Sequence, residues 1–354
     1  MANLQNTVKA FVKLGQFLGQ YKISGTVENP NVKGNELFFH QFDKKIALAV
    51  KHNGWFTEEN IRFAIIKWAE LLTENTLNEW LSQYTFNANT SSKDIAIIMA
   101  GNIPLVGFHD FLSVLVTGHT VIVKQSSNDN QLLPMIADFL KYVQPDLQNK
   151  ITFTEGILPD FDAAIATGSN NTARYFDYYF SKRPSIIRKN RNSIAILTGN
   201  ESNSQLKALG EDIFRYFGLG CRNVSKIFVP ENYEFDHLFN ALYDWKTIIN
   251  HHKYANNYDY NKAVYLMGST PILDNNFLIL KEDTGYASPI GVLFYEYYSD
   301  VNSLKEKLNE HPEAIQCVVS SGFDKKEVAF GKTQHPQLWD YADAIDTVDF
   351  LLKI

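Results

Sequence analysis

The sequence predicts an α/β fold made of two α/β domains with mostly parallel sheets, the first preceded by a helical segment. Three observations lead there. From residue 94 onwards, short apolar runs alternate with longer stretches of helical periodicity, the pattern of βαβ units. The same alternation starts afresh after Cys221. Residues 1–83 instead carry apolar residues at helical spacing.

The composition bounds the answer. A chain of 354 residues suits one large or two medium domains. Hydrophobic residues make up 45% and charged residues 20%, enough to bury a sizeable core. A net charge of −6 argues against a nucleic-acid binder, which needs a basic face. Cys221 and Cys317 are the only cysteines, too few for a disulfide framework, so a reducing, cytoplasmic setting is expected. No basic segment followed by a long apolar run opens the chain, so no secretory signal is expected, and no apolar run reaches the ~18 residues of a membrane span.

In order along the chain, Val8, Phe11, Val12, Leu14 and Leu18 form one helical stripe. Leu37, Phe38, Phe42, Ile46, Ala49 and Val50 form another. Thr57 is placed to cap a helix that carries Ile61, Ile65, Trp68 and Leu72. Ile95–Met99, Thr120–Lys124, Ile151–Phe153, Ala163–Ala166 and Ser193–Leu197 read as buried strands. Phe108–Val116 and Leu132–Val143 read as the helices between them. Ser202 and Gln205 have the spacing of a capping box, which starts a helix running to Phe217. Ile227–Val229, Phe277–Leu280, Val292–Phe294 and Ile315–Val319 are further strands, with helices at 235–245, 260–267 and 301–308. The first domain is expected to cover 1–198 and the second 199–330. The tail, 331–354, is expected to pack back as a final strand or to lie on a partner subunit, and a second copy of the chain is a candidate partner.

Parallel sheets bind ligands beyond the carboxyl ends of their strands, so the loops after Met99, Lys124 and Ala166 carry the residues of interest. Pro104 stiffens the first loop and makes Asn102 a pre-placed amide donor, although asparagine is also an ordinary turn former. Lys124 ends the second strand, where a solvated lysine is equally ordinary. Gly168 and Ser169 open a helix, whose free N–H groups suit a phosphate, although serine is also a common cap. Lys182, Arg183, Arg188, Lys189 and Arg191 follow, either as a solvated surface or as a grip on the phosphates of a dinucleotide or of coenzyme A.

The most informative stretch is Phe217-Gly-Leu-Gly-Cys221-Arg222, which joins a helix to the strand Ser225–Val229. Glycines leave room for a substrate to approach, and a thiol at an element junction can be reached. Cys221 is therefore the candidate nucleophile. Cys317 sits within an apolar strand and reads as core. The Gly-x-Gly-x-x-Gly fingerprint and the Walker A sequence are both missing, no His or Cys pair has zinc-like spacing, and no metal is expected. His119 and His311, each just ahead of a strand, read as loop histidines or as contacts to a substrate.

Taken together, residues from about 94 to 300 resemble the aldehyde dehydrogenase superfamily. Asn102-Ile-Pro-Leu105 is similar to its Asn-Phe-Pro-Leu turn, and Gly118-His-Thr-Val-Ile-Val-Lys124 to its Gly-Asn-Thr-Val-Val-Leu-Lys. Thr167-Gly168-Ser169 and the cysteine with its following strand come next in the same order. Within the superfamily, Arg183-Pro184-Ser185-Ile186 ahead of Phe217–Cys221 most resembles the acyl-CoA reductases related to LuxC of luminous bacteria. The resemblance implies an aldehyde-dehydrogenase-like arrangement of two Rossmann-like α/β domains. It implies Cys221 as the acyl-accepting nucleophile, and Asn102 with the Cys221 N–H as the oxyanion hole. It places Lys124 at the adenosine ribose or a 2′-phosphate, Gly168 and Ser169 at the pyrophosphate, and Glu282 at the nicotinamide ribose. The cofactor would be NADPH or NADH, with Arg183 and Arg188 leaning towards the phosphorylated form, and the substrate an acyl-CoA or related thioester. Hydrolytic members of the superfamily have a Glu-Leu-Gly-Gly-Lys stretch where this chain reads Ile187-Arg-Lys-Asn-Arg191, so the water-activating carboxylate is replaced by Ile187. The expected activity is reduction of an acyl-CoA to an aldehyde through an acyl-cysteine. A coenzyme A-independent aldehyde or semialdehyde dehydrogenase, an acyl-phosphate reductase and a non-redox acyl-binding or acyl-transfer protein stay open as alternatives.

Overall fold

The structure is a computed structural model that describes residues 2–87, 91–168 and 170–354. The chain divides into two units, Met1–Lys189 with Gln337–Ile354, and Asn190–Pro336. The division falls earlier than the expected position near 198, because the strand at 192–196 pairs into the second sheet.

The first unit opens with helix α1 (Ala2–Leu18), which buries Phe11, Leu14, Phe17 and Leu18. A small hairpin, β1 (Tyr21–Lys22) and β2 (Gly25–Thr26), follows. Helices α2 (Asn35–His52), α3 (Glu58–Leu71) and α4 (Glu74–Leu81) come next. Thr57 caps α3 by accepting from the Asn60 N–H, as expected of its position. A five-stranded parallel sheet follows in the order β5-β4-β3-β6-β7. Its elements are β3 (Asp94–Ile98), α5 (Phe108–Val116), β4 (Thr120–Lys124), α6 (Leu132–Val143), β5 (Ile151–Phe153), β6 (Ala163–Thr167), α7 (Asn170–Phe180) and β7 (Ser185–Arg188). The strands read as nearly unbroken apolar runs because both faces of a parallel sheet are covered. The Phe17 ring of α1 stacks on Phe139 of α6 with centroids 4.5 Å apart, which fastens the helical segment to the sheet layer.

The second unit holds a six-stranded sheet in the order β10-β11-β12-β9-β8-β13, parallel except for the β10–β11 pair. Its elements are β8 (Asn192–Ile196), α8 (Asn203–Phe214), β9 (Val224–Pro230), α9 (Phe235–Leu242), α10 (His252–Met267), β10 (Leu273–Asp274), β11 (Ile279–Glu282), β12 (Val292–Tyr298), α11 (Val301–Glu310) and β13 (Ile315–Val319). The capping box at the start of α8 forms as read, with Ser202 and Gln205 satisfying each other's backbone N–H.

The tail differs from the expected strand. Residues 347–353 form helix α12 (Thr347–Lys353), whose N-cap Asp346 accepts from the Asp349 N–H. It packs back within the first unit. Hydrogen bonds from His119 and Arg188 help to anchor it and the residues just before it. His119 is buried, with Nδ1 accepting from the Lys93 N–H at 3.1 Å and Nε2 2.9 Å from the Leu351 carbonyl. Burial holds its imidazole below the ordinary histidine range, which suits the neutral ring that Nδ1 needs to accept from Lys93 while Nε2 donates to the Leu351 carbonyl. His119 is thus a structural anchor. Arg188, at the end of β7, donates to Asp110 of α5 at 2.6 Å, to the Thr347 hydroxyl at 2.9 Å and to the Ala342 carbonyl at 2.7 Å. Among the described residues no helix is long and apolar enough to cross a membrane.

The Arg188–Asp110 pair is buried on both sides. Removing one partner strands a charge, so Asp110→Ala should lower the unfolding free energy by about 3–5 kcal/mol. Pairing Asp110→Leu with Arg188→Met should recover part of that loss. Denaturant unfolding checks both, and a loss below about 1 kcal/mol in Asp110→Ala, the size of an exposed pair, contradicts the tie.

Candidate active site

In the first unit, the strand order reverses between β3 and β6, which creates a crevice at the carboxyl ends of those two strands. Asn102 lies in the loop after β3 and is exposed. Its loop is fastened at both ends. Asn53, which caps the end of α2, donates from Nδ2 to the Gly101 carbonyl at 3.2 Å. Asp129 accepts from the Leu105 N–H at 2.8 Å, where Leu105 takes the left-handed φ of 58°. The other Asp129 carboxyl oxygen is buried and meets no donor among the described residues. Burial pushes the Asp129 carboxyl up to about 6, opposed only by the Leu105 N–H.

Gly168 follows β6, and its N–H donates to the Arg188 carbonyl at 3.3 Å. A Cβ there would stand 3.0 Å from the Phe176 ring and 3.1 Å from Thr172, so the first turn of α7 lies directly against the glycine backbone. Ser169 lies outside the described residues. Lys124 ends β4, and its Nζ donates to the Gly156 carbonyl at 2.9 Å. Asn102, Lys124 and Gly168 therefore share one edge of one sheet, with two of the three loops at the switch point. A dinucleotide fits this edge: a close backbone approach after β6, a helix start behind it and a cation at the end of β4, on the far side of β3.

The two arginines are engaged by other partners, although Arg188 stands at the carboxyl end of β7. Arg183 precedes β7, at the amino end of the parallel strands, and pairs with Asp160 at 2.6 Å while its guanidinium lies 4.6 Å from the centre of the Phe161 ring. Arg188 is buried and held by Asp110, Thr347 and Ala342. A charge count along the sequence carries no information on such partners.

In the second unit, Cys221 is exposed and stands just ahead of β9. Helix α8 ends at Phe214, and the chain then passes through a left-handed turn at 215–218. Tyr216, Phe217 and Gly218 have φ of 55°, 59° and 77°. Glycine accepts this conformation readily, whereas the tyrosine and phenylalanine hold it because both are buried, Phe217 with its ring 4.2 Å from that of His251. Gly220–Asn223 then makes a β-turn closed by the Asn223 N–H to the Gly220 carbonyl at 3.0 Å. The Ser193 hydroxyl of β8 donates to the Cys221 carbonyl at 3.0 Å. The neighbouring Arg222 donates to the buried Cys317 sulfur at 3.4 Å, so Cys317 is core, as read.

Glu282 is the exposed last residue of β11. It pairs in register with Tyr295, which pairs with Ile227 of β9. Cys221 precedes the start of β9, so the sheet sets the two residues on different levels. The loop after Glu282 is fixed from β9: Lys226 donates to the Thr284 carbonyl at 2.9 Å and pairs with Glu296 at 2.6 Å, and the Ser225 hydroxyl donates to the Tyr286 carbonyl at 2.6 Å. Burial pulls the Lys226 ammonium below the ordinary lysine range, against the hold of Glu296. A lysine in an apolar strand is the sequence signal that points to this anchor.

The fold is that of the aldehyde dehydrogenases. Aldehyde dehydrogenase 21 from Physcomitrella patens, solved with the reaction product succinate, superimposes with a TM-score of 0.65 at 11% identity over 99% of this chain and 87% of that one. An indole-3-acetaldehyde dehydrogenase complexed with NAD+ gives 0.61 at 12% identity, covering 89% and 72%. The P. syringae indole-3-acetaldehyde dehydrogenase AldA, in complex with NAD+ and IAA, gives 0.61 at 11%, covering 90% and 72%. No curated protein matches the sequence. The family model for acyl-CoA reductase (LuxC) matches residues 54–244, just over half of the chain. The chain belongs to that acyl-CoA reductase family. The matched stretch includes Asn102, Lys124, Gly168 and Cys221 and stops short of Glu282.

The Asp129 carboxyl yields a pH signature. It is protonated more readily in the folded chain than in the unfolded one, whose aspartates titrate near ~3.9. Its contribution to stability is therefore lost as pH rises from there through about 6. Unfolding at pH values across this window should show Asp129→Asn losing less stability than the natural chain. Equal slopes would place the titration elsewhere.

Proposed function

We propose that the protein reduces an acyl-CoA to an aldehyde, with Cys221 as the residue that carries the acyl group. The observation that carries this reading is an exposed cysteine at a turn inside the stretch that matches the acyl-CoA reductase family. The Cys221 thiolate attacks the thioester carbonyl, a carbon–sulfur bond forms to Cys221, and coenzyme A leaves as its thiolate. The Cys221 N–H donates to the developing oxyanion, worth roughly 3 kcal/mol in such sites, and the resemblance to the aldehyde dehydrogenases assigns Asn102 as the side-chain donor. Lys124 and Gly168, on the carboxyl edge of the first sheet, would hold a nicotinamide dinucleotide. That cofactor supplies a hydride to the acyl carbon when bound. The resulting thiohemiacetal on Cys221 collapses, the carbon–sulfur bond breaks, the aldehyde departs and the thiolate returns.

Ile187 supports the choice of a thiol over water as the second partner of the acyl-enzyme. It replaces the carboxylate that would activate water, and an incoming thiol needs no such base. In the reverse direction, aldehyde oxidation should therefore consume oxidised cofactor only when coenzyme A is added, yielding thioester and little free acid.

Steady-state assays with a medium- or long-chain acyl-CoA and NADPH or NADH test the reading. Cys221→Ser should lose at least about 10³-fold in aldehyde formation, the scale seen when a nucleophile is removed. Full activity in that variant contradicts the role, and free acid as the main product of aldehyde oxidation contradicts the thiol step.

A further inference from the structure

We propose that Asn223 is a positioning residue for Cys221: its side-chain amide ties the turn that carries the cysteine to the end of helix α8. The inference rests on Cys221 being the nucleophile and adds what sets the place of its thiol.

The end of a helix leaves carbonyl groups without partners. Here those groups face Asn223, which is 3% exposed. Its Nδ2 donates to the Arg215 carbonyl at 2.8 Å and lies 3.2 Å and 3.4 Å from the carbonyls of Asp212 and Ile213. Its Oδ1 accepts from the Gly220 N–H at 2.8 Å. The surroundings dictate the amide orientation, since the carbonyls require a donor and the N–H an acceptor. The backbone joins in: the Asn223 N–H reaches the Gly220 carbonyl at 3.0 Å, and its carbonyl accepts from the Ser193 N–H of β8 at 3.3 Å. One buried side chain thus links α8, both ends of the Gly220–Asn223 turn and, through its backbone, the neighbouring strand. Cys221 is exposed on the outside of that turn.

The chemistry of the amide restricts what can replace it. Aspartate keeps the acceptor for Gly220 and sets a carboxylate oxygen against three carbonyls. Alanine removes both interactions. Serine keeps a short oxygen within the site and should fall between asparagine and alanine.

The test compares Asn223→Asp, Asn223→Ser and Asn223→Ala with Thr333→Val. That control removes the buried hydrogen bond that the Thr333 hydroxyl donates to the Asp212 carboxylate, so it disturbs a residue whose carbonyl meets Asn223 while leaving every hydrogen bond of the turn itself in place. Acylation of Cys221 by an acyl-CoA is followed by rapid quench and intact mass, below the melting temperature of every variant. Misplacing a nucleophile should slow acylation roughly ten- to a hundred-fold, through kcat with KM little changed. Alkylation by iodoacetamide, which needs only a reachable thiolate, should stay within about three-fold. Thr333→Val should lose thermal stability without slowing acylation. If Asn223→Asp does not fold, the serine variant supplies the comparison. Folded Asn223 variants that acylate within about two-fold of the natural chain overturn the inference, as does an equal slowing in Thr333→Val. Acylation that survives in Cys221→Ser removes the underlying reading. An inert Cys221→Ser with an unaffected Asn223 series removes only this inference.

Discussion

The end of helix α8 sets the constraint from which the second unit's site follows. The chain has to leave a helix at Phe214 and begin β9 beside β8 at Val224, with every buried carbonyl satisfied on the way. It does so through consecutive left-handed residues, two of them bulky, at a cost of roughly 1–2 kcal/mol each. Burial of Tyr216 and Phe217 offsets that cost, and the amide of Asn223 closes the hydrogen-bond account. The consequence is a turn whose inner side is packed and bonded while its outer side presents Cys221. A nucleophile on such a turn keeps its position without being buried, which suits a residue that must meet a large substrate.

The first unit solves a similar problem at a sheet edge. A parallel sheet with a reversal in strand order leaves a crevice where the loops after β3 and β6 part. Those loops are not left to drift. Asn53 and Asp129 fasten the loop that carries Asn102, and the first turn of α7 closes on Gly168. Buried groups below an exposed loop again do the holding.

Much of this was legible in the sequence because it depends on local pattern. Apolar runs located most of the longer strands, though not β7, which reads as part of a cationic stretch, and Thr57, Ser202 and Gln205 marked helix starts because capping is a contact between residues three apart. What depends on distant partners was not legible. Arg188 reads as one of a cluster of cations, whereas its partner Asp110 stands 78 residues away. The strand at 193–197 reads as the close of the first domain, since an apolar run does not say which sheet it joins. The tail reads as half-apolar, which suits a strand or a helix alike, and Asp346 as an N-cap decides for the helix. Asn223 follows the cysteine closely and ends a turn before a strand, an ordinary place for asparagine, so only the carbonyls converging on it reveal its part.

The most direct measurement of the central claim is the intact mass of the protein after incubation with a long-chain acyl-CoA and then with reduced nicotinamide cofactor. The account predicts one acyl adduct, located on Cys221 by peptide mapping, that disappears on addition of NADPH or NADH with release of the aldehyde. An adduct that persists in the presence of both cofactors, or one that forms on another residue, would contradict it.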